Sequence, residues 1–133
     1  MEIKTQLSLF MENKPGNLAK FLSILEDAEL DIVGMSVLDA AEHAVIRLIT
    51  SDHKKCVHLL GDHGIVVVEC DVLQVNVSHQ PGELKKVAQI LSQESINIDY
   101  LYGSQSANNH KAALFLKVSD AKLALDSLKK HLG

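Results

Sequence analysis

The chain repeats itself at a fixed interval, and that interval restricts the fold more than any other feature. Asn13-Lys14-Pro15-Gly16-Asn17-Leu18-Ala19-Lys20 returns as His79-Gln80-Pro81-Gly82-Glu83-Leu84-Lys85-Lys86. Upstream, Leu7, Leu9 and Met11 alternate with polar residues, as do Leu73, Val75 and Val77. Downstream, Ile24-Leu25 matches Ile90-Leu91, and Leu30-Asp31-Ile32 matches Ile96-Asn97-Ile98. A unit of about half the chain is too long for a solenoid repeat and suits a duplicated small domain. The 133 residues are therefore expected to divide into domains 1–69 and 70–133, each near the lower size limit of a domain.

Within the first copy, Ile3, Thr5, Leu7, Leu9 and Met11 alternate with Lys4, Gln6 and Ser8, the pattern of a half-buried strand. Pro15 fits a first helical turn, and Leu18, Phe21, Leu22, Leu25 and Ala28 follow as one apolar stripe. Strands are expected at Asp31–Leu38 and Ala44–Thr50, around a loose turn at Ala40–His43. A short helix capped by Ser51 or Asp52 carries Cys56, Leu59 and Leu60 and ends at Gly61 and Gly64, before the strand Ile65–Val68. The order β-α-β-β-α-β is the ferredoxin-like plan, an α+β fold.

The second copy follows suit. A strand spans Asp71–Ser78, and a helix carries Leu84, Val87, Ala88 and Leu91. Strands at Asn97–Gly103 and Ala112–Val118 flank a polar turn at Ser104–His110. A helix capped by Ser119 or Asp120 carries Ala121, Ala124, Leu125, Leu128 and Leu132. The second copy is thus expected to lack its last strand, leaving an edge that its sister copy or a second subunit covers. Gly64–Ser78 holds no turn signal, so two strands either run together there or bend near Cys70-Asp71.

Composition narrows the function. The net charge of −4 and an aromatic content of 4% without tryptophan give no footprint for nucleic acid or an anionic membrane. The lysine pairs Lys54-Lys55, Lys85-Lys86 and Lys129-Lys130 read as solvated helix faces. Met1-Glu2-Ile3-Lys4 lacks the character of a signal peptide, no apolar run approaches a bilayer span, and two cysteines make no disulfide framework. A cytoplasmic protein is expected. Enzyme readings fail on residue types: an acylphosphatase-type site needs an arginine in the loop after the first strand, and the sole arginine is Arg47, mid-strand. Cys56, His58, His63 and Cys70 lack the spacing of a zinc site, iron–sulfur ligation needs more thiolates, and Gly34-Met35-Ser36 is no nucleophile elbow. No catalysis, cofactor or metal is expected.

The repeated loop between first strand and first helix carries the remaining chemistry. Gly16 and Gly82 let a ligand approach the backbone, and the free N–H groups of a first helical turn suit a carboxylate. Asn13 and His79 put polar side chains beside that place. Asp31 and Asn97, opening the second strand of each copy, are the kind of group that holds an ammonium. Together they make the minimum kit for an α-amino acid. The alternative is that Pro-Gly merely shapes a tight strand-to-helix turn.

At these residues the chain resembles a tandem pair of ACT domains, the small amino-acid-sensing modules of many metabolic enzymes. The resemblance rests on Glu12-Asn13-Lys14-Pro15-Gly16-Asn17-Leu18, Ala28-Glu29-Leu30-Asp31-Ile32, His79-Gln80-Pro81-Gly82-Glu83-Leu84 and Glu94-Ser95-Ile96-Asn97-Ile98. Ile98-Asp99-Tyr100-Leu101-Tyr102 with Lys111-Ala112-Ala113-Leu114-Phe115 is similar to stand-alone double-ACT proteins without a catalytic domain. It implies two pseudo-equivalent ligand sites where the first loop of one domain faces the second strand of another. One would use Asn13, Lys14, Gly16, Asn17 and Leu18 with Asn97 and Tyr100; the other His79, Gln80, Gly82, Glu83 and Leu84 with Asp31. Met11 stands where some serine sensors of the family carry histidine, and His79 and Asp31 replace asparagines. Tyr100 and Tyr102 either wall a pocket or pack at the domain junction.

The resemblance implies a non-catalytic regulator of amino-acid metabolism that binds a free amino acid, is a homodimer and works through its own assembly or a metabolic enzyme. The competing expectation is an interaction subunit of a biosynthetic enzyme, similar to the small subunit of acetolactate synthase. Phe10 and Phe115, expected on outward strand faces, favour that second reading.

Overall fold

In the computed structural model the described residues are 1–78, 80–105 and 111–132. Ten elements follow one another: β1 (Glu2–Glu12), α1 (Asn17–Asp27), β2 (Ile32–Ala40), β3 (His43–Thr50), α2 (His53–Asp62), β4 (Val67–Ser78), α3 (Glu83–Gln93), β5 (Ile98–Gln105), β6 (Lys111–Val118) and α4 (Ala121–Leu132). They form two compact units, Thr5–Cys70 and Met1–Lys4 with Asp71–Gly133. The fold is α+β, with two ferredoxin-like units in tandem.

In the unit Thr5–Cys70 the sheet order is β2-β3-β1-β4. Leu7 pairs with Leu48 and Leu9 with Ile46 across the antiparallel β1–β3 ladder. Alternation turns these four side chains to one face, where Phe21 and Leu25 of α1 and Cys56 and Leu60 of α2 close the core. Met35, Ile65 and Val67 pack at its margin. The helical stripe is narrower than the sequence suggests: Leu18 is exposed, and α1 buries Phe21 and Leu25. Pro15 precedes the helix instead of occupying its first turn, because Gly16 adopts a left-handed φ of 88° that a helical turn excludes. Gly61 lies inside α2, and Gly64 (φ 72°) is the glycine that ends it, with Ile65 N–H donating to Leu60 O at 2.9 Å.

The other unit repeats the scheme with β5-β6-β4 and places β1 beside β4, where Met1–Lys4 is its share of that strand. Met1 and Ile3 pack on a core of Leu73, Val75, Val87, Leu91, Leu116 and Leu128. The place of this unit's fourth strand is therefore taken by the beginning of β1, which the sequence counts in the first copy, so the sister copy covers the edge, the first of the two expected solutions. The run from Val67 to Ser78 is a single strand, the first of the two junctions the sequence allowed. Leu84, like Leu18, is exposed. Phe10 is 64% exposed as expected, but Phe115 is only 4% exposed and its ring stands 5.3 Å from that of Tyr102. Phe115 sits on a strand flanked on both sides, opposite Tyr102 on β5 and Gln74 on β4, a placement that strand alternation alone does not reveal. Among the described residues no helix is long and apolar enough to cross a membrane.

Candidate functional site

The first strand-to-helix loop is held by its own polar groups. Lys14 N–H donates to Glu12 O (3.0 Å), Asn17 N–H to Lys14 O (3.2 Å), and the Asn17 side-chain amide to Glu12 O (2.9 Å). No side chain caps α1 and no acid stands in its first turn, so the positive end of the helix is open to an anion. Asn13 ties the loop to the β2–β3 hairpin: its N–H donates to Glu42 O at 3.1 Å and its Nδ2 to Asp39 Oδ1 at 3.0 Å. Lys14 pairs with the Glu12 carboxylate at 2.9 Å. Glu12, Asn13, Lys14, Glu42 and His43 line a cavity of about 570 Å³.

The second loop reproduces this backbone. Gln80 N–H donates to Ser78 O, Glu83 N–H to Gln80 O and Lys86 N–H to Gly82 O, the partner of the Lys20 to Gly16 bond in the first copy. Gly82 has φ 94°, and α3 again lacks a side-chain cap. The difference is Glu83, a first-turn carboxylate that pairs with Lys86 at 3.3 Å and already answers the positive end of the helix. His79, the residue matching Asn13, lies outside the described residues.

Asp31 and Asn97 sit at the opposite end of their helices. Leu22, Leu25, Glu26, Glu29, Leu30, Asp31 and Ile32 line a pocket of about 420 Å³. Ala88, Ser92, Ser95, Ile96, Asn97 and Ile98 line one of about 390 Å³ at matching positions. The chemistry differs: Glu26, Glu29 and Asp31 are replaced by Ser92, Ser95 and Asn97. Within the unit Thr5–Cys70, Asn13 and Lys14 thus line one cavity and Asp31 another. Tyr100 lies past the register shift between Ile98 and Tyr100, opposite Lys117.

Two serines expected as alternative helix caps have another role. Helix capping falls to Asp52, which accepts from Lys55 N–H, and to Asp120, which accepts from Leu123 N–H. Ser51 and Ser119 instead accept, through Oγ at 3.1 Å, the backbone N–H of Asp31 and of Asn97. Their own N–H groups donate back to Asp31 O and Asn97 O at 3.0 Å. Each serine so clasps the backbone of a candidate ligand residue. The available signal was the dipeptide Ser-Asp recurring after the third strand of both copies. Among the described residues no three His, Cys, Asp or Glu side chains converge as a metal site.

Known proteins match this geometry. The family described as an ACT domain pair matches residues 1–127. A protein of Bacteroides thetaiotaomicron of solved structure is 30% identical, with a TM-score of 0.89 over 97% of this chain and 88% of that one. The regulatory subunit of aspartate kinase from Thermus thermophilus, in its ligand-free form, shares the fold at 11% identity (TM-score 0.69; 98% and 97% of the two chains). That from Thermus flavus does so at 13% identity (TM-score 0.64; 99% and 95%). No curated protein matches the sequence.

Proposed function

Because the chain belongs to the family of ACT domain pairs, we propose that it is a non-catalytic, cytoplasmic regulator that binds a free amino acid. The carrying observation is the loop built twice: a left-handed glycine, an uncapped helix and the same backbone hydrogen bonds at Gly16 and at Gly82. The uncapped N–H groups of the first turn suit the ligand carboxylate, with Leu18 and Leu84 as exposed apolar neighbours. Asn13, which lines the cavity beside the Gly16 loop, supplies a side-chain oxygen for its ammonium. The absence of a first-turn acid in α1 makes the Gly16 loop the stronger anion site. The likeness to regulatory subunits of aspartate kinase supports a regulatory role. A thermal-shift panel of the twenty amino acids is the test. A ligand at ~100 times its Kd stabilises by about 2.7 kcal/mol, and a flat response to all twenty sinks the reading.

A second reading, an interaction subunit of a biosynthetic enzyme, draws on β2. Ile32, Val33, Val37 and Leu38 are 42–50% exposed on a strand at the edge of its sheet. An exposed apolar edge invites strand pairing, by a second copy in a homodimer or by an enzyme partner. Sedimentation separates these: a dimer of the isolated chain supports self-pairing, and a monomer that co-purifies with an enzyme supports the second reading.

A further inference from the structure

In the unit Thr5–Cys70, the sheet face turned away from α1 and α2 carries a pattern of its own. Leu7, Leu9, Ile46, Leu48 and Met35 point to the core of this unit, so their neighbours along β1, β3 and β2 point the other way. Ladder pairing sets those neighbours in rows across the three strands. Leu38, Val45 and Phe10 form one row. Arg47 stands between Ser36 and Ser8 in the row on one side, and His43 pairs with Glu12 in the row on the other. The middle row is wholly apolar and its ends are open to solvent, Phe10 at 64% and Leu38 at 50%. Val67 packs on the core, so the exposed Val68 of β4 extends this apolar surface. Glu12 and Arg47, the acid and the base of the flanking rows, lie equally far from the middle row and on opposite sides of it.

We propose that this face is an interface between two copies of the chain, packed sheet on sheet about a two-fold axis that runs along the row of Leu38, Val45 and Phe10. The inference goes beyond the amino-acid reading and does not depend on it. Such an axis lays each side chain of the row on its own counterpart and turns the flanking rows over. Arg47 then comes opposite the partner's His43 and diagonal to the partner's Glu12. Both Arg–Glu pairs form at once, one on each side of the apolar row. Packed sheets stand ~10 Å apart, a gap that an arginine and a glutamate side chain reach across from the two sides. Glu12 already pairs with Lys14 on the surface, and a carboxylate has acceptor sites for both cations. A foreign protein would have to supply this charge pattern itself, whereas a second copy carries the match already. Strand spacing and rise give four strands and three rows an area of about 400 Å² per copy, the scale of a weak, concentration-dependent dimer.

The test is sedimentation of the full chain over a concentration series, with far-UV circular dichroism to check that each variant is folded. The wild type is expected to pass from monomer to dimer as concentration rises. Phe10→Ser, at an exposed position, should keep the spectrum and raise the dimer Kd by about tenfold or more, since each dimer loses two buried rings. Arg47→Glu sets acid against the partner's Glu12, and Glu12→Arg sets base against the partner's Arg47, so each should weaken the dimer. The variant with both exchanges restores the pairs and should dimerise more tightly than either single variant. Pairing along the β2 edge leaves Phe10 outside the contact, so a dimer undiminished by Phe10→Ser overturns the proposal. A double variant no tighter than the single ones overturns it too. A wild type that stays monomeric throughout the series does the same and leaves the amino-acid reading standing.

Discussion

Gly103 on β5 stands so close to the carbonyl of Ala113 on β6 that a Cβ at this glycine would overlap the Ala113 oxygen. It would also lie 2.9 Å from Leu114 Cδ2 and 3.2 Å from Leu114 Cα, and two of these three contacts are backbone that cannot swing aside. Gly103→Ala should therefore destabilise the chain by about 1–3 kcal/mol, the usual cost of overpacking. A urea midpoint equal to that of the wild type would refute this.

Gly16 and Gly82 give the contrasting case. A Cβ there meets nothing within 4 Å, so the cost of substitution is the left-handed backbone alone. Gly16→Ala should lower stability by about 1–2 kcal/mol while leaving the fold intact, and should weaken the response to an amino acid by crowding the backbone approach. Valine, stiffer at χ1, would confound the two effects, so alanine is the cleaner probe. A variant that loses stability but keeps its full ligand shift would show that the loop does not touch the ligand.

How far the sequence led can be judged at these residues. The repeat and its alternation announced two α+β copies, because core periodicity is written into residue type at positions such as Leu7/Leu73 and Leu25/Leu91. The use of Met1–Lys4 as a strand of the second unit was not legible, since hydrogen-bonding partners in a sheet are chosen by tertiary placement and leave no local mark. Ser51 and Ser119 looked like helix caps because an adjacent aspartate offers the same chemistry; only geometry decides which oxygen reaches which N–H. Of the candidate site, the positions of Asn13, Gly16, Asp31 and Asn97 came from the sequence. The bond from Asn13 Nδ2 to Asp39 did not, because the two residues lie 26 positions apart along the chain.

Glu29 and Ser95 occupy matching places after α1 and α3, both with left-handed φ (57° and 58°), and both line the pockets of Asp31 and Asn97. A non-glycine residue in that region carries about 1–2 kcal/mol of strain, partly offset in a glycine variant by the greater freedom of its unfolded chain. Ser95→Gly should thus stabilise the protein by about 0.5–1 kcal/mol. Thermal melts that move downward would show that the Ser95 side chain contributes more than its backbone costs.

Ser51→Ala removes the hydroxyl that accepts from Asp31 N–H while sparing the reverse bond from Ser51 N–H to Asp31 O. The loss should be about 0.5–1.5 kcal/mol, and Ser119→Ala should match it in the second unit. If Asp31 and Asn97 hold the ligand, each variant should also weaken binding beyond what its melting shift explains. Equal affinities for wild type and both variants would confine the serines to a structural part.

Cys56 makes stability depend on pH. Its thiol is buried in the core of its unit, and burial pushes its pKa up; the Thr50 hydroxyl pulls the other way, and the Asp52 carboxylate adds to the rise. The folded thiol therefore holds its proton at a pH where the unfolded thiol, with its ordinary value of 9.0, releases it. Stability from this group is complete below that value and is lost as pH rises through the raised folded pKa. Urea midpoints of the wild type should fall more steeply than those of Cys56→Ala as the pH rises above 9.0, other titrations being common to both. Cys70, only partly buried, should react with a thiol reagent in the native protein well before Cys56. Parallel pH curves, or equal labelling of the two thiols, would contradict the burial argument.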